Sequence, residues 1–318
     1  MKIRILFSVL FIFSATLSFA QKSPAFNIIP LGTEGGLNEA NLSSYLVSPA
    51  GSDQYIALDA GTLYTGVQKA IANKTIGKSP TNFIRQNIKA YLISHPHLDH
   101  VAGLIMNSPA DTTKNVYGTK FCLDRIAEHY FSWQTWANFS DEGEKPALNK
   151  YHFKELAEES ETPIEGTDMY VTAFRLSHAE PYQSTAFLIR KDSSYVLYFG
   201  DTGADTIEHA QHLYNVWQHI APLIKNKQLK GIFLECSYPD EQPEKQLFGH
   251  LTPKFLFDEM KHLASLCGGI NSLQNLPLII THMKPEGNNE NKIRKEISDY
   301  NLLKLRILFP EQGKRIML

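Results

Sequence analysis

Three imidazoles and a carboxylate crowd into His95-Pro96-His97-Leu98-Asp99-His100, and no other stretch limits the possible folds of this chain so tightly. A strand pattern over 88–93 runs into the cluster, and an apolar helical pattern over 101–106 leaves it. The six residues therefore lie on a strand-to-helix turn. Pro96 biases His95 towards extended backbone, in which alternate side chains share a side, so His95 and His97 can close on one centre. Asp99 and His100 follow the bend and point elsewhere. Imidazole and carboxylate without a thiol are the donors of Zn2+ and similar divalent ions. A chance run of surface histidines accounts for neither the spacing nor the strand-turn-helix context.

One turn can start two metal sites but cannot finish them. Strand patterns over 169–176, 195–199 and 276–280 lead into Ser177-His178, Gly200-Asp201 and Thr281-His282. Sites in α/β proteins collect at the carboxyl ends of strands, where loops converge above a rigid sheet. His178 completes a three-imidazole site with His95 and His97, while Asp99, His100 and His282 form its neighbour. Asp201, with two carboxylate oxygens, can bridge the pair. The competing roles are a satisfied core histidine for His178 and His282, and a turn or helix cap for Asp201.

The stretch from His95 to Pro109, H-P-H-L-D-H-V-A-G-L-I-M-N-S-P, resembles the signature of the class II 3′,5′-cyclic-nucleotide phosphodiesterases, a branch of the metallo-β-lactamase fold. Val101-Ala102-Gly103-Leu104-Ile105 and Ser108-Pro109 narrow the likeness to this branch. It extends through Leu31-Gly32-Thr33-Glu34-Gly35-Gly36, Leu58-Asp59-Ala60-Gly61, Phe248-Gly249-His250-Leu251-Thr252-Pro253 and Thr281-His282-Met283-Lys284-Pro285. The resemblance implies a four-layer αββα sandwich, where the pattern of strands and helices alone gives a layered α/β class. It also implies a loop-fixing role for Asp59 and a small cyclic nucleotide, cyclic AMP or cyclic GMP, as substrate.

Two ions about 3.5–4 Å apart can share a water, lower its pKa towards neutrality and hold the hydroxide in line with phosphorus. Two Zn2+ suit these donors, and Mn2+ or Fe2+ would fit the same set. Opening the ring expels an alkoxide, so an acid is needed. His250 is the candidate acid: Thr252 can cap a helix whose first residue is Pro253, which holds the imidazole near a helix start. Glu235, at the end of a strand pattern over 231–234, can orient and charge it. Glu235-Cys236-Ser237-Tyr238 with Gly249-His250-Leu251-Thr252 also resembles the acid-donating pair of tRNase Z enzymes. Substrate positioning or capping is the competing role for His250, and a structural strand-end carboxylate the one for Glu235.

Composition bears on what else the chain can be. A formal charge of −2 offers no basic field for a nucleic-acid polymer, and 43% hydrophobic residues support a sizeable core. No linker divides the 318 residues, and the ligands span His95 to His282, so 21–318 reads as one catalytic domain. Residues 1–20 read as a cleavable secretory signal: Lys2 and Arg4 precede an apolar stretch too short to span a bilayer, and Ser18-Phe19-Ala20 supplies small residues at the cut. A secreted or periplasmic enzyme without a stable membrane anchor is expected. Cys122, Cys236 and Cys267 read as buried free thiols.

An aromatic-rich insertion at about 120–165 carries Tyr130, Phe131, Trp133, Trp136, Phe139 and Tyr151. It resembles a family-specific cap, and a purine can stack on an aromatic face, although core packing is the expectation for most of these side chains. His209, His212 and His219 fall on the solvent side of a helical pattern over 204–225. Other hydrolases of the same fold, cleaving a lactam, a thioester or another phosphodiester, and a non-enzymatic secreted binding protein are the alternatives.

Overall fold

Many strands of this chain are apolar at consecutive positions, as in Leu278-Ile279-Ile280, and every one of these side chains is buried. Such strands must be covered on both faces. The computed structural model, which describes residues 24–318, supplies the cover in four layers. The expected leader over 1–20 lies outside the described residues.

The first sheet contains β1 (Phe26–Gly32), β2 (Ser44–Pro49), β3 (Tyr55–Leu58), β4 (Ile88–Leu92), β5 (Lys114–Gly118) and β6 (Tyr151–Glu155). The second contains β7 (Glu161–Pro163), β8 (Tyr170–Ser177), β9 (Gln183–Lys191), β10 (Ser194–Phe199), β11 (Leu229–Glu235), β12 (Pro277–Thr281) and β13 (Arg306–Leu308), and β14 (Ile316–Met317) closes the first sheet beside β1. The strands β3 to β6 are parallel, as are β10 to β13. Between the sheets Tyr45 meets Tyr198 and Phe233 at ring-centroid distances of 5.8 and 5.6 Å. Phe26, Ile28, Val47, Phe187, Ile189 and Ile279 fill the same layer.

Outside the first sheet lie α1 (Tyr64–Ala72), α2 (Pro80–Asn87) and α3 (Leu98–Asn107), which bury Val67, Phe83, Ile84, Val101 and Leu104 against it. After the short α4 (Lys120–Arg125) and α5 (Asp205–Glu208), the helices α6 (His212–Lys225), α7 (Pro253–Cys267) and α8 (Asn289–Tyr300) cover the second sheet through Trp217, Ile220, Leu256, Met260 and Ile293. This is the αββα sandwich. Among the described residues no helix is long and apolar enough to cross a membrane.

Three local expectations are corrected. The pattern over 204–225 is two helices, because His209 turns the chain into the left-handed region and the Asp205 carboxylate accepts the Leu213 and Tyr214 N–H groups at 3.0 and 2.9 Å, capping α6 from the preceding turn. The helix expected from 101 begins at Leu98, so Asp99 and His100 belong to its first turn. The insertion is not a separate cap: it supplies β6 and β7 at the sheet edges, and Phe131 and Tyr151 are core. Trp136 and Lys150 fasten it to the far end of α3, with Nε1 3.2 Å from Ser108 Oγ and Nζ 2.8 Å from the Ser108 carbonyl. Of the six expected aromatics, Tyr130 reaches the histidine turn, donating its hydroxyl to the Pro96 carbonyl at 2.8 Å. The three cysteines are buried and free.

Candidate metal centre

β3, β4, β8, β10, β11 and β12 all end on one edge of the sandwich, and each delivers a polar side chain there: Asp59, His95, His178, Asp201, Glu235 and His282. His97 occupies the residue before α3 with extended backbone (φ −67°, ψ 150°), so it still points with His95 as the helix begins. The structure thus brings together every residue expected at the site.

Two donor groups stand side by side. In the first, His97 Nδ1 lies 3.1 Å from His95 Nε2 and 3.2 Å from His178 Nε2. In the second, His282 Nε2 lies 3.2 Å from His100 Nε2 and 3.1 Å from Asp99 Oδ2. Asp201 Oδ2 stands between them, 3.3 Å from His100, 3.2 Å from His282, 3.7 Å from His95 and 3.9 Å from His178. Within each group the ligand atoms fall within 4.8 Å of one another. His250 also comes within ligand range of His178 and Asp201.

Inward-facing lone pairs are fixed from behind. His178 donates Nδ1–H to the Gly249 carbonyl at 2.8 Å, which leaves Nε2 bare towards the site. His100 Nδ1 lies 2.8 Å from Asp59 Oδ2, His282 Nδ1 lies 3.0 Å from Ser237 Oγ, and His95 Nδ1 lies 3.0 Å from Ser94 Oγ. The Asp99 Oδ2 accepts the Gly36 N–H at 3.0 Å. Gly249 has φ +77°, and a Cβ on it would stand 2.2 Å from Ala179 N and 2.7 Å from His178 Nδ1, so no other residue fits behind that imidazole.

Burial holds His97 and His178 down at about 4 and His95 well below the imidazole range, so these rings are neutral at pH 7 and able to ligate. At His100 burial pulls the same way, but the carboxylates of Asp201, Asp59 and Asp99 outweigh it and hold the ring well above its ordinary value. The Asp201 carboxyl is held well below the ordinary carboxylate range by His282 and His100, against the effect of its own burial. The first group thus offers neutral imidazoles, and in the second the carboxylates draw a proton onto His100, so the site as a whole attracts positive charge. The donor set therefore fits divalent ions.

Behind the second group, His250 Nδ1 lies 2.8 Å from Glu235 Oε1. Burial, with the Asp201 carboxylate, pushes Glu235 up to about 7, and burial holds His250 well below its ordinary value. Thr252 stands before α7 as expected, but its side chain makes no capping bond. His250 is positioned instead by Glu235 and by Ser237 Oγ at 3.2 Å. Ser237, which sequence reasoning did not single out, also donates to Glu235 Oε2 at 2.8 Å and so links the Glu235–His250 pair to His282.

Two aromatic residues were also missed. Tyr182 stacks on His97 with ring centroids 4.6 Å apart and planes 17° from parallel, and Phe121 meets the same tyrosine edge-on. Phe248, next to Gly249, is 62% exposed with φ +52°. Trp136 of the insertion instead lies at the far end of α3, bonded to Ser108.

Residues 77–308 match the family described as cAMP phosphodiesterases class-II. The chain is 37% identical to a 3′,5′-cyclic-nucleotide phosphodiesterase of Aliivibrio fischeri, over 98% of this chain and 97% of that one. It is 33% identical to a probable 3′,5′-cyclic-nucleotide phosphodiesterase of Yersinia pestis, over 95% and 92%. Among solved structures, unliganded yeast PDE1 superposes with a TM-score of 0.81 at 24% identity, over 93% of this chain and 100% of that one. The short form of human tRNase Z shares the fold at a TM-score of 0.54 and 17% identity, over 91% and 98%.

Proposed function

Since this chain belongs to the class-II cAMP phosphodiesterases, and is therefore a 3′,5′-cyclic-nucleotide phosphodiesterase, we propose that the pocket at the strand ends opens the ring of cyclic AMP, and of cyclic GMP, to give the 5′-nucleotide. The observation that carries this reading is the convergence of His95, His97, His178, Asp99, His100, Asp201 and His282 into two adjoining donor groups. Two divalent ions held there, Zn2+ in our reading with Mn2+ or Fe2+ suited to the same donors, would lower the pKa of a shared water towards 7 and neutralise phosphoryl charge.

The chain's own groups supply the rest. His95, His97 and His178 hold one side of the centre, Asp99, His100 and His282 the other, and Asp201 the middle. The departing 3′-oxygen needs a proton. His250 can give one from Nε2 as Nδ1 takes up the proton that Glu235, pushed up to about 7, carries towards it. Export rests on the leader expected over 1–20, and it places the activity outside the cytoplasm.

The test is purified mature protein incubated with 3′,5′-cyclic AMP, 2′,3′-cyclic AMP and a chromogenic lactam, with and without chelator, alongside metal analysis. We expect hydrolysis of the 3′,5′ ring alone, abolished by chelator and restored by Zn2+. Cleavage of the lactam alone, or chelator-resistant turnover, would overturn the assignment.

A further inference from the structure

Lys284 follows the last expected ligand by two residues, and its backbone is pinned from both sides. His282 turns the chain with φ +58°, the Gly35 N–H donates to the Met283 carbonyl at 3.2 Å, and the Lys284 N–H donates to the Ser237 carbonyl at 3.2 Å. The ammonium is therefore aimed by the same two loops that shape the donor groups. It lies 5.7 Å from the centroid of the Tyr238 ring, and a Cβ on Gly36 would stand 3.8 Å from Nζ. Each neighbour adjoins a residue of the site. The Gly36 N–H holds Asp99, and the Tyr238 ring is 5.8 Å from the His250 ring.

This half-buried ammonium has no carboxylate within 4 Å among the described residues, whereas Lys114 is ion-paired with Asp111. A cation kept beside the donor groups with no ion-pair partner of its own within 4 Å is arranged for an anion that arrives.

We propose that Lys284 is a specificity-determining residue that receives a non-bridging oxygen of the phosphodiester between Gly36 and Tyr238. Its chemistry selects a phosphate monoanion over a neutral ester. The proposal rests on the phosphodiesterase reading of the pocket, and its test separates the two.

Holoenzyme, Lys284→Met and Lys284→Arg are compared with bis(p-nitrophenyl) phosphate as substrate and inorganic phosphate as inhibitor, at matched metal content. Loss of a charge-assisted contact predicts a KM and a phosphate inhibition constant raised about 10- to 100-fold in Lys284→Met. Lys284→Arg should recover most of the loss, and kcat should change less than KM. Independently of any variant, acetylation of Lys284 in the wild-type holoenzyme, followed by mass spectrometry, should slow severalfold when phosphate is added while exposed lysines such as Lys120 are unaffected. Unchanged phosphate inhibition in a metal-replete Lys284→Met protein would overturn the assignment, as would labelling indifferent to phosphate. Failure of wild-type protein to hydrolyse cyclic AMP strikes at the substrate reading and leaves the lysine to be judged by phosphate.

Discussion

The Asp59 carboxylate lies 2.8 Å from Nδ1 of His100 and also accepts the Ser94 N–H at 2.7 Å, the Ser94 hydroxyl at 2.8 Å and the Tyr198 hydroxyl at 2.7 Å. Four donors surround one fully buried carboxylate, which fixes the His100 tautomer with Nε2 turned to the centre. Asp59→Asn keeps the shape, and asparagine tolerates the left-handed backbone of φ +55°. Its NH2 would nevertheless face a donor. We expect metal affinity to fall about 10- to 100-fold, read by competition with a chromogenic chelator. Wild-type affinity in Asp59→Asn would show that His100 is oriented by something else.

His250 can be separated from the ligands by what its loss leaves behind. With Nδ1 engaged by Glu235 and Ser237, His250→Ala should retain the full metal complement and lose about 100- to 10,000-fold in turnover, the usual contribution of a positioned acid. Glu235→Gln should follow it with a smaller loss. Metal content measured on the purified variant decides the case: a missing ion would make His250 a ligand with His178 and Asp201.

What the sequence made legible follows from how each residue does its work. His95, His97, Asp99 and His100 announce themselves because they are adjacent, and His178, Asp201 and His282 because each ends an apolar strand. Ser237 and Tyr182 act through rings brought to them by other strands, so their letters carry no signal. Phe248 is exposed and Lys284 half-buried, each in a loop where no periodicity marks it. The helix break at His209 was hidden because Leu213, Trp217 and Ile220 continue an apolar face whether or not the helix is interrupted. Core packing, the expectation for most of the insertion's aromatics, fails for Trp133 and Trp136, which are 43% and 39% exposed, since composition identifies an aromatic segment without saying which of its side chains are covered.

Acid should destabilise the metal-free protein before it reaches the ordinary carboxylate range. His95, His97, His178 and His250 are held below the imidazole value of 6.5, chiefly by burial, with His97 and His178 at about 4. Between those limits the unfolded chain takes up protons that the folded chain refuses, so stability rises with pH. Glu235, pushed up to about 7, opposes this as a single group. His100, kept protonated by its carboxylates despite burial, is charged in both states over most of the window. The urea midpoint of chelator-treated protein should therefore fall as pH drops from 6.5 towards 4, and bound metal should steepen the fall because protons compete for the ligand nitrogens. An equal or higher midpoint at the acid end would contradict the burial of these rings.

Stability away from the centre depends on a second buried carboxylate. Asp111 accepts the Tyr91 and Tyr151 hydroxyls at 2.7 and 2.9 Å and the Thr112 N–H at 2.7 Å, and it pairs with the Lys114 ammonium. Burial holds Lys114 below the usual lysine range, with Asp111 pulling it back. Asp111→Asn removes the counter-charge and leaves a buried ammonium beside an amide, a change that costs about 3–5 kcal/mol when one partner of a buried pair is lost. Asp111 follows the far end of α3, where its N–H bonds the Asn107 carbonyl at 3.0 Å, so the donor groups are not touched. Urea denaturation should show the loss of stability while metal content and turnover per folded molecule stay at the wild-type level. A variant as stable as wild type would mean that Lys114 sheds its proton or swings into water without cost.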